Sequence, residues 1–377
     1  MHNMPQITIY SPRFERIAPL NYFESMKLVS RFDELSTLEV KVTGTHDRIG
    51  ALMTPGCRLV VHYGGRQVFS GPVRKVAGAG PSSESSVTVT AEDDIRLLWR
   101  MLLWPSTTSP GGENGVTLDR EYRYITGPAE TVTKTLIAEN IRHLEIPPIT
   151  VAADKGRGPK VSTSVRFHTF ADRVLPLIGA AGMRVTVFQS SQSLLVDCVP
   201  TRTIPRVFSE ASGAITSWEF ARTGPTATSV VVGGSGEGKD RRFTVAGRPS
   251  LEREWQDAIE VFVDARNGDS EKVTLRQEAQ QKLDESQPVS GFKITLSDRM
   301  IQNTIPDDIS PGDTITVNIA GVDVSERIKE IEYVCEDPGS GWTSVTPIAG
   351  EYQDDPSRML ASKLAAMATN IRNTGTL

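Results

Sequence analysis

Apolar and polar positions alternate along much of the first hundred residues. Between Gln6 and Tyr10, Ile7 and Ile9 alternate with polar or amphipathic neighbours, and Leu38-Glu39-Val40-Lys41-Val42 alternates without interruption. A period of two marks a strand with one buried face. Arg58-Leu59-Val60-Val61-His62-Tyr63 runs into Gly64-Gly65 and is followed by Gln67-Val68-Phe69. Two strands around a Gly-Gly pair predict a hairpin, since glycine accepts positive φ at both turn positions. Residues 87–91 supply another alternating strand. Short strands at this spacing predict a small barrel or sandwich.

A loop of Pro, Ser, Thr and Gly over 104–115 is a candidate domain boundary. The period then changes. Over 128–141, Val132, Leu136, Ile137 and Ile141 fall on one helical face, with Pro128 near the start, where a missing N–H is harmless. A second helix is predicted over 169–181, with Phe170, Val174, Leu177 and Ile178 inward, Pro176 as a source of a kink and Gly182 as the stop. Strands follow over 184–188 and 193–199, so the middle of the chain is α+β.

From Arg206 the β pattern returns. Ser229-Val230-Val231-Val232 has the composition of a buried strand, and Ile259, Val261 and Val263 alternate. Residues 269–285 predict a helix with Val273, Leu275, Ala279 and Leu283 as apolar contacts. Strands are predicted at 291–296, 314–319 and 326–333. Asp355, a good cap, and Pro356, a good first residue, open a predicted helix to about Arg372. Met359, Leu360, Leu364, Met367, Ala368 and Ile371 form its apolar stripe, with Lys363 among them. The expected organisation is a β domain at 1–103, an α+β domain at 116–205, a second β-rich domain at 206–350 and a helical tail at 351–377. Segments 1–100 and 206–350 could be two versions of one architecture.

Composition narrows the function. Of 377 residues, 38% are hydrophobic and 23% charged, which excludes a disordered chain. The balance of 41 basic and 46 acidic residues, with no strong basic run, argues against a protein that grips nucleic acid, because phosphate neutralisation needs a basic face. It leaves room for a surface that DNA slides past. The start of the chain lacks a basic stretch followed by an apolar core, so no signal peptide is expected. No apolar run reaches the roughly 18–20 residues of a membrane span.

The residues that carry chemistry do not assemble into a known pattern. Cys57, Cys198 and Cys335 lie far apart without a CxxC pair, and are expected as small buried hydrophobes. His2, His46, His62, His143 and His168 are scattered; HExxH and GxSxG are both missing. Gly233-Gly234-Ser235-Gly236-Glu237-Gly238-Lys239 fits seven positions of a phosphate-binding loop. The next residue, however, is Asp240 instead of Ser or Thr, and a strand pattern follows where a helix is required. A glycine-rich hairpin is the expectation. Glu92-Asp93-Asp94 reads as a solvated acidic turn, and Glu237 and Asp240 read the same way. Trp99, Trp104, Trp218, Trp255 and Trp342 are expected in packing or subunit contacts, although a sugar-binding surface would use similar residues. No catalytic residue, metal ligand or cofactor is assigned.

Several segments, in order, carry a resemblance. They are Pro55-Gly56-Cys57-Arg58-Leu59-Val60-Val61 with Val68-Phe69-Ser70-Gly71-Pro72-Val73; Tyr124-Ile125-Thr126-Gly127-Pro128-Ala129-Glu130; Thr223 to Gly234 with Gly236-Glu237-Gly238 and Arg241; Glu260-Val261-Phe262-Val263-Asp264-Ala265-Arg266; and Ser310-Pro311-Gly312-Asp313-Thr314-Ile315-Thr316-Val317. Together they resemble the minor tail proteins of actinobacterial siphophages, a family related to phage baseplate hub proteins. Where Thr228 stands the family often has Asn.

The resemblance implies two β-barrel-like hub domains around an α+β middle. It also implies a homotrimer whose six barrels approximate sixfold symmetry at the end of a tail tube. DNA would leave through the ring without specific binding. The implied partners are the distal tail protein ring, the tape measure protein and other minor tail proteins, and the implied place is the distal tip of the virion tail. Some tail-tip proteins carry a lysozyme or peptidase domain behind the hub. The stretch after Tyr352 is too short for one, so a non-enzymatic protein is expected. The alternatives are a receptor- or carbohydrate-binding adhesin and a cell-wall hydrolase.

Overall fold

A computed structural model of the chain describes residues 4–81, 85–106, 118, 120–144, 147–265, 275–304, 309–336, 339 and 341–351. The chain divides into two compact units, residues 1–218 with 293–349, and residues 219–292 with 350–377.

The first unit begins with β1 (Gln6–Tyr10), β2 (Arg16–Leu20), β3 (Ser25–Arg31), β4 (Thr37–Thr43), α1 (Ile49–Leu52), β5 (Arg58–Tyr63), β6 (Arg66–Ala79) and β7 (Ser86–Glu92). The period-two pattern is realised in β4, where Leu38, Val40 and Val42 are fully buried and Glu39 and Lys41 face solvent. Gly64 and Gly65 both have positive φ, at 57° and 78°, and close the β5–β6 hairpin. β6 is much longer than its alternating core. Its first half pairs with β5 and its second with β7, with a shift of register between Val73 and Lys75. Such an irregularity bends a strand, so one strand serves both pairings.

An α+β region follows, with α2 (Ile95–Trp99), β8 (Leu102–Leu103), β9 (Arg123–Pro128), α3 (Ala129–Asn140), β10 (Ile149–Val151), β11 (Lys160–Val165), β12 (His168–Thr169), α4 (Phe170–Arg173), α5 (Leu175–Ala180), β13 (Met183–Ser190) and β14 (Ser193–Pro200). The apolar stripe of α3 is buried as its spacing predicts: Val132, Leu136 and Ile137 are inaccessible. They pack with Phe170, Val174, Ile178 and Val196 in one core. Burying each such side chain contributes roughly 1.5–3 kcal/mol. The helix predicted over 169–181 is two helices. Pro176 has no N–H to offer the carbonyl four residues back, so the helix breaks at Val174 and Pro176 enters the first turn of α5. Thr169 caps α4, its hydroxyl accepting from the Asp172 N–H at 3.1 Å.

β15 (Thr203–Phe208) and the start of β16 (Ile215–Thr223) remain in the first unit, and β16 carries the chain into the second. There, β17 (Ser229–Gly233) lies between an antiparallel β18 (Phe243–Gly247) and, beyond α6 (Pro249–Trp255), a parallel β19 (Glu260–Asp264). α7 (Leu275–Glu285) places Ala279 and Leu283 against Ala227, Val230 and Val232. The part of this predicted helix before Leu275 lies outside the described residues. β20 (Val289–Leu296) returns the chain to the first unit, which α8 (Asp298–Thr304), β21 (Thr314–Ile319), β22 (Val322–Cys335) and β23 (Ser344–Gly350) complete.

β22 is a second long, shared strand. Its first half pairs with β21 and its second with β23 and β3. Strands from the two ends of the chain therefore share one sheet, in the order β22-β3-β4-β7-β6-β5-β1-β2. Among the described residues no sheet closes into a barrel. Periodicity locates strands but not their neighbours, and neither the β22–β3 pairing nor the openness of the sheet is written in it. The tail helix predicted over 355–372 lies outside the described residues.

Candidate functional site

The glycine-rich loop after β17 is built around an arginine. Arg241 donates from Nη2 to the Gly233 carbonyl at 2.8 Å and from Nε to the Gly234 carbonyl at 3.0 Å, and pairs with Asp264 at 2.6 Å. Its guanidinium lies over the rings of Phe243 and Phe262, at 5.4 and 5.5 Å. A phosphate loop turns its N–H groups toward an anion. Here carbonyls converge on a cation. A single tight turn, Gly238–Asp240, and then β18 follow instead of a long helix, and Lys239 is exposed. Gly236 has φ 108°, and a Cβ there would lie 2.7 Å from the Asp240 carbonyl oxygen. The loop is a hairpin connection.

The acidic run after β7 is not the solvated turn its composition predicts. Asp94 is 1% exposed and pairs with buried Arg58 at 2.6 Å, while accepting from the Ser70 hydroxyl at 2.7 Å. Asp93 accepts the Ser36 N–H at 3.2 Å. Burial pushes the Asp93 carboxyl up to about 7, against hydrogen bonds from Ser36 that lower it. Burial likewise raises Asp33 to about 7, partly offset by Lys329 and Arg327. The partners are dozens of residues away, so local charge density misread the run. Arg58 also donates to Gln189 Oε1 at 2.8 Å, which ties β5 to the end of β13. A second buried network joins Glu130, Lys134, Arg157 and Asp197 at 2.6–3.2 Å. Hydrogen bonds from Arg157 hold the Glu130 carboxyl far below the usual range.

A cavity of about 290 Å³ opens within the first unit, lined among others by Arg31, Arg66, Asp93, Arg184, Ser310 and Tyr333. Two buried polar atoms there, Asp93 Oδ1 and Arg184 Nε, have no protein partner. Polar groups beside a space of this size are ordinarily met by water.

The thiols are buried, as expected, and burial raises Cys57 and Cys198 to about 11, well outside the reactive range. Among the described residues no three His, Cys, Asp or Glu side chains gather as a metal site. The tryptophans are engaged in packing and hydrogen bonds. Trp342 packs on Tyr63 and Tyr333, Trp104 meets Phe167 edge-on at 5.0 Å, Arg222 lies over Trp255, and Trp99 and Trp218 donate to Asp33 and Glu210.

Comparison with known proteins identifies the fold. Among solved structures, the 43 kDa tail protein of prophage MuSo2 from Shewanella oneidensis aligns with a TM-score of 0.54 at 11% identity, over 93% of this chain and 96% of that one. The tail protein of Neisseria meningitidis MC58 aligns with a TM-score of 0.53 at 12% identity, over 92% and 97%. Prophage tail protein gp18 of Listeria monocytogenes EGD-e aligns with a TM-score of 0.50 at 12% identity, over 96% and 99%. No curated protein sequence matches the chain. Residues 6–350 match the model of the Siphovirus ReqiPepy6 Gp37-like proteins. The chain belongs to the Siphovirus ReqiPepy6 Gp37-like protein family and has the fold of prophage tail proteins.

Proposed function

We propose that this chain is a structural, non-enzymatic subunit of the hub at the distal tip of a siphophage tail. Three copies would ring the exit of the tail tube and leave a channel for DNA. The observation that carries the reading is the match to a siphovirus family over residues 6–350, joined to a fold shared end to end with phage tail proteins. The chemistry agrees: the buried ion pairs of the first unit hold its elements together. In this reading the β segments at 1–103 and 206–350 supply the ring and residues 116–205 the middle domain. The expected neighbours are the distal tail protein ring, the tape measure protein and other minor tail proteins. The described helices include none long and apolar enough to cross a membrane.

Gold-labelled antibody against the chain, applied to intact virions, tests the reading. Label confined to the free end of the tail is expected. Label spread along the tube, or absent from virions opened to expose buried epitopes, would contradict it.

A further inference from the structure

In the sheet β10-β14-β13, β13 is an edge strand. Antiparallel pairing turns alternate residues of a strand toward its neighbour and the others away. Just before β13, the Gly182 carbonyl accepts the Thr201 N–H at 2.8 Å, which sets the even-numbered residues toward β14. The pairing runs from Met183 with Pro200 to Ser190 with Ser193 without a shift of register, so Val185, Val187 and Gln189 turn their N–H and C=O groups the other way. Gln189 is met there by one side chain. Its N–H donates to Gln67 Oε1 at 2.8 Å, and its carbonyl accepts from Gln67 Nε2 at 3.0 Å. A side-chain amide thus stands where the peptide group of a next strand would stand. Among the described residues, nothing bonds Val185 or Val187 on that side.

Both valines line the 290 Å³ cavity of the first unit, which residues 66–70 of β6 also line. An open strand edge is a template for another strand, and water fills the space until one arrives. Val185 and Val187 lie two residues apart, roughly 7 Å along β13, so three residues of an added strand reach both. The charges of the lining select what is added. Asp93 is the one carboxylate among the lining residues, against Arg31, Arg66 and Arg184. Arg31 is neutralised by Glu330 at 2.9 Å. Arg184 donates from Nη1 to the Pro311 carbonyl at 2.8 Å and has Asp313 at 3.9 Å, while its buried Nε has no protein partner. Burial pulls its pKa down, partly offset by Asp313. A desolvated guanidinium with an open N–H is met best by a carboxylate. Asp93 Oδ1, also without a protein partner, offers an acceptor for an N–H.

We propose that the cavity beside β13 is a strand-addition site for an extended acidic segment of another protein, which hydrogen-bonds to Val185 and Val187 and sets a carboxylate on Arg184.

Blocked pentapeptides test this on the full chain, with the amide signals of Val185 and Val187 followed by NMR. One pool has glutamate at the centre and mixed flanking residues, a second has lysine at the centre, and a third is the glutamate pool with every backbone amide methylated. The glutamate pool is expected to shift both signals saturably and to bind at least tenfold more tightly than the lysine pool. The methylated pool should leave both signals in place, because it cannot donate to a strand edge. No shift with the glutamate pool, or equal binding by either of the other pools, would overturn the proposal. Glutarate separates a strand from a small carboxylate: if it saturates the same shifts at concentrations as low as the glutamate pool requires, the site takes a small ligand and the proposal fails. Arg184→Gln should bring the glutamate and lysine pools within twofold of each other, and a tenfold preference that persists would remove Arg184 from the site. The comparison of pools on the unsubstituted chain decides the proposal even where this variant folds poorly.

Discussion

Arg58 and Asp94 show how a charged residue can be structural. Both are nearly inaccessible: Arg58 and the Ser70 hydroxyl both donate to Asp94 Oδ2, Arg58 also donates to Gln189, and Asp94 Oδ1 has no protein partner. Removing one partner leaves an uncompensated buried charge, at a cost of about 3–5 kcal/mol. Asp94→Ala is therefore expected to lower the unfolding free energy by that amount in denaturant titration, and the double variant Arg58→Met, Asp94→Leu to recover most of the loss. Asp33 and Asp93 make a pH-dependent contribution of opposite character. Their folded values of about 7 lie above the ordinary 3.8, so the folded chain holds protons that the unfolded chain has released. Their stabilisation is complete below about pH 4 and is lost as pH rises through about 7. The melting temperature should fall between pH 5 and pH 8, and the fall should narrow in the variant carrying Asp33→Asn and Asp93→Asn. An unchanged pH profile in that variant would contradict the assignment. None of this was legible in the run Glu92-Asp93-Asp94, because burial comes from Arg58, Ser36 and Ser70, which the local sequence does not contain.

Elements were far more legible than their charges. The alternation of β4, the Gly-Gly hairpin and the stripe of α3 each depend on residues within a few positions, so the pattern alone locates them. Pro176 was legible as a disturbance, and the structure shows a full break. The glycine-rich loop was legible as a hairpin because Asp240 and the strand after it spoil a phosphate site. What no spacing rule signals is Arg241 as the loop's organising residue. Three substitutions separate these roles. Lys239→Ala, at an exposed charge, should change stability by less than about 0.5 kcal/mol. Gly236→Ala places a Cβ against the Asp240 carbonyl at a φ that alanine resists, and should cost about 1–3 kcal/mol. Arg241→Ala removes the bonds to Gly233, Gly234 and Asp264 and should cost a similar amount, with the loss read in thermal unfolding. ATP binding that vanishes in Lys239→Ala would contradict the hairpin reading.

At the scale of the whole molecule, the ordered motifs from Pro55 to Val317 pointed to the siphophage family, and the match over residues 6–350 shows membership of a siphovirus family. The arrangement of strands was less accessible. β22 lies against β3 across some three hundred residues of sequence, and such pairings are set by the collapsed chain as a whole. The proposed hub requires a ring, which a single chain does not display, so solution mass comes first: a homotrimer is expected, a monomer that trimerises only on the tube is compatible, and a stable dimer is not. The most direct measurement is a three-dimensional reconstruction of the virion tail tip. The account predicts three copies of this fold around the tail axis at the free end of the tube, enclosing the channel. Copies stacked along the tube, or set away from the axis, would contradict it.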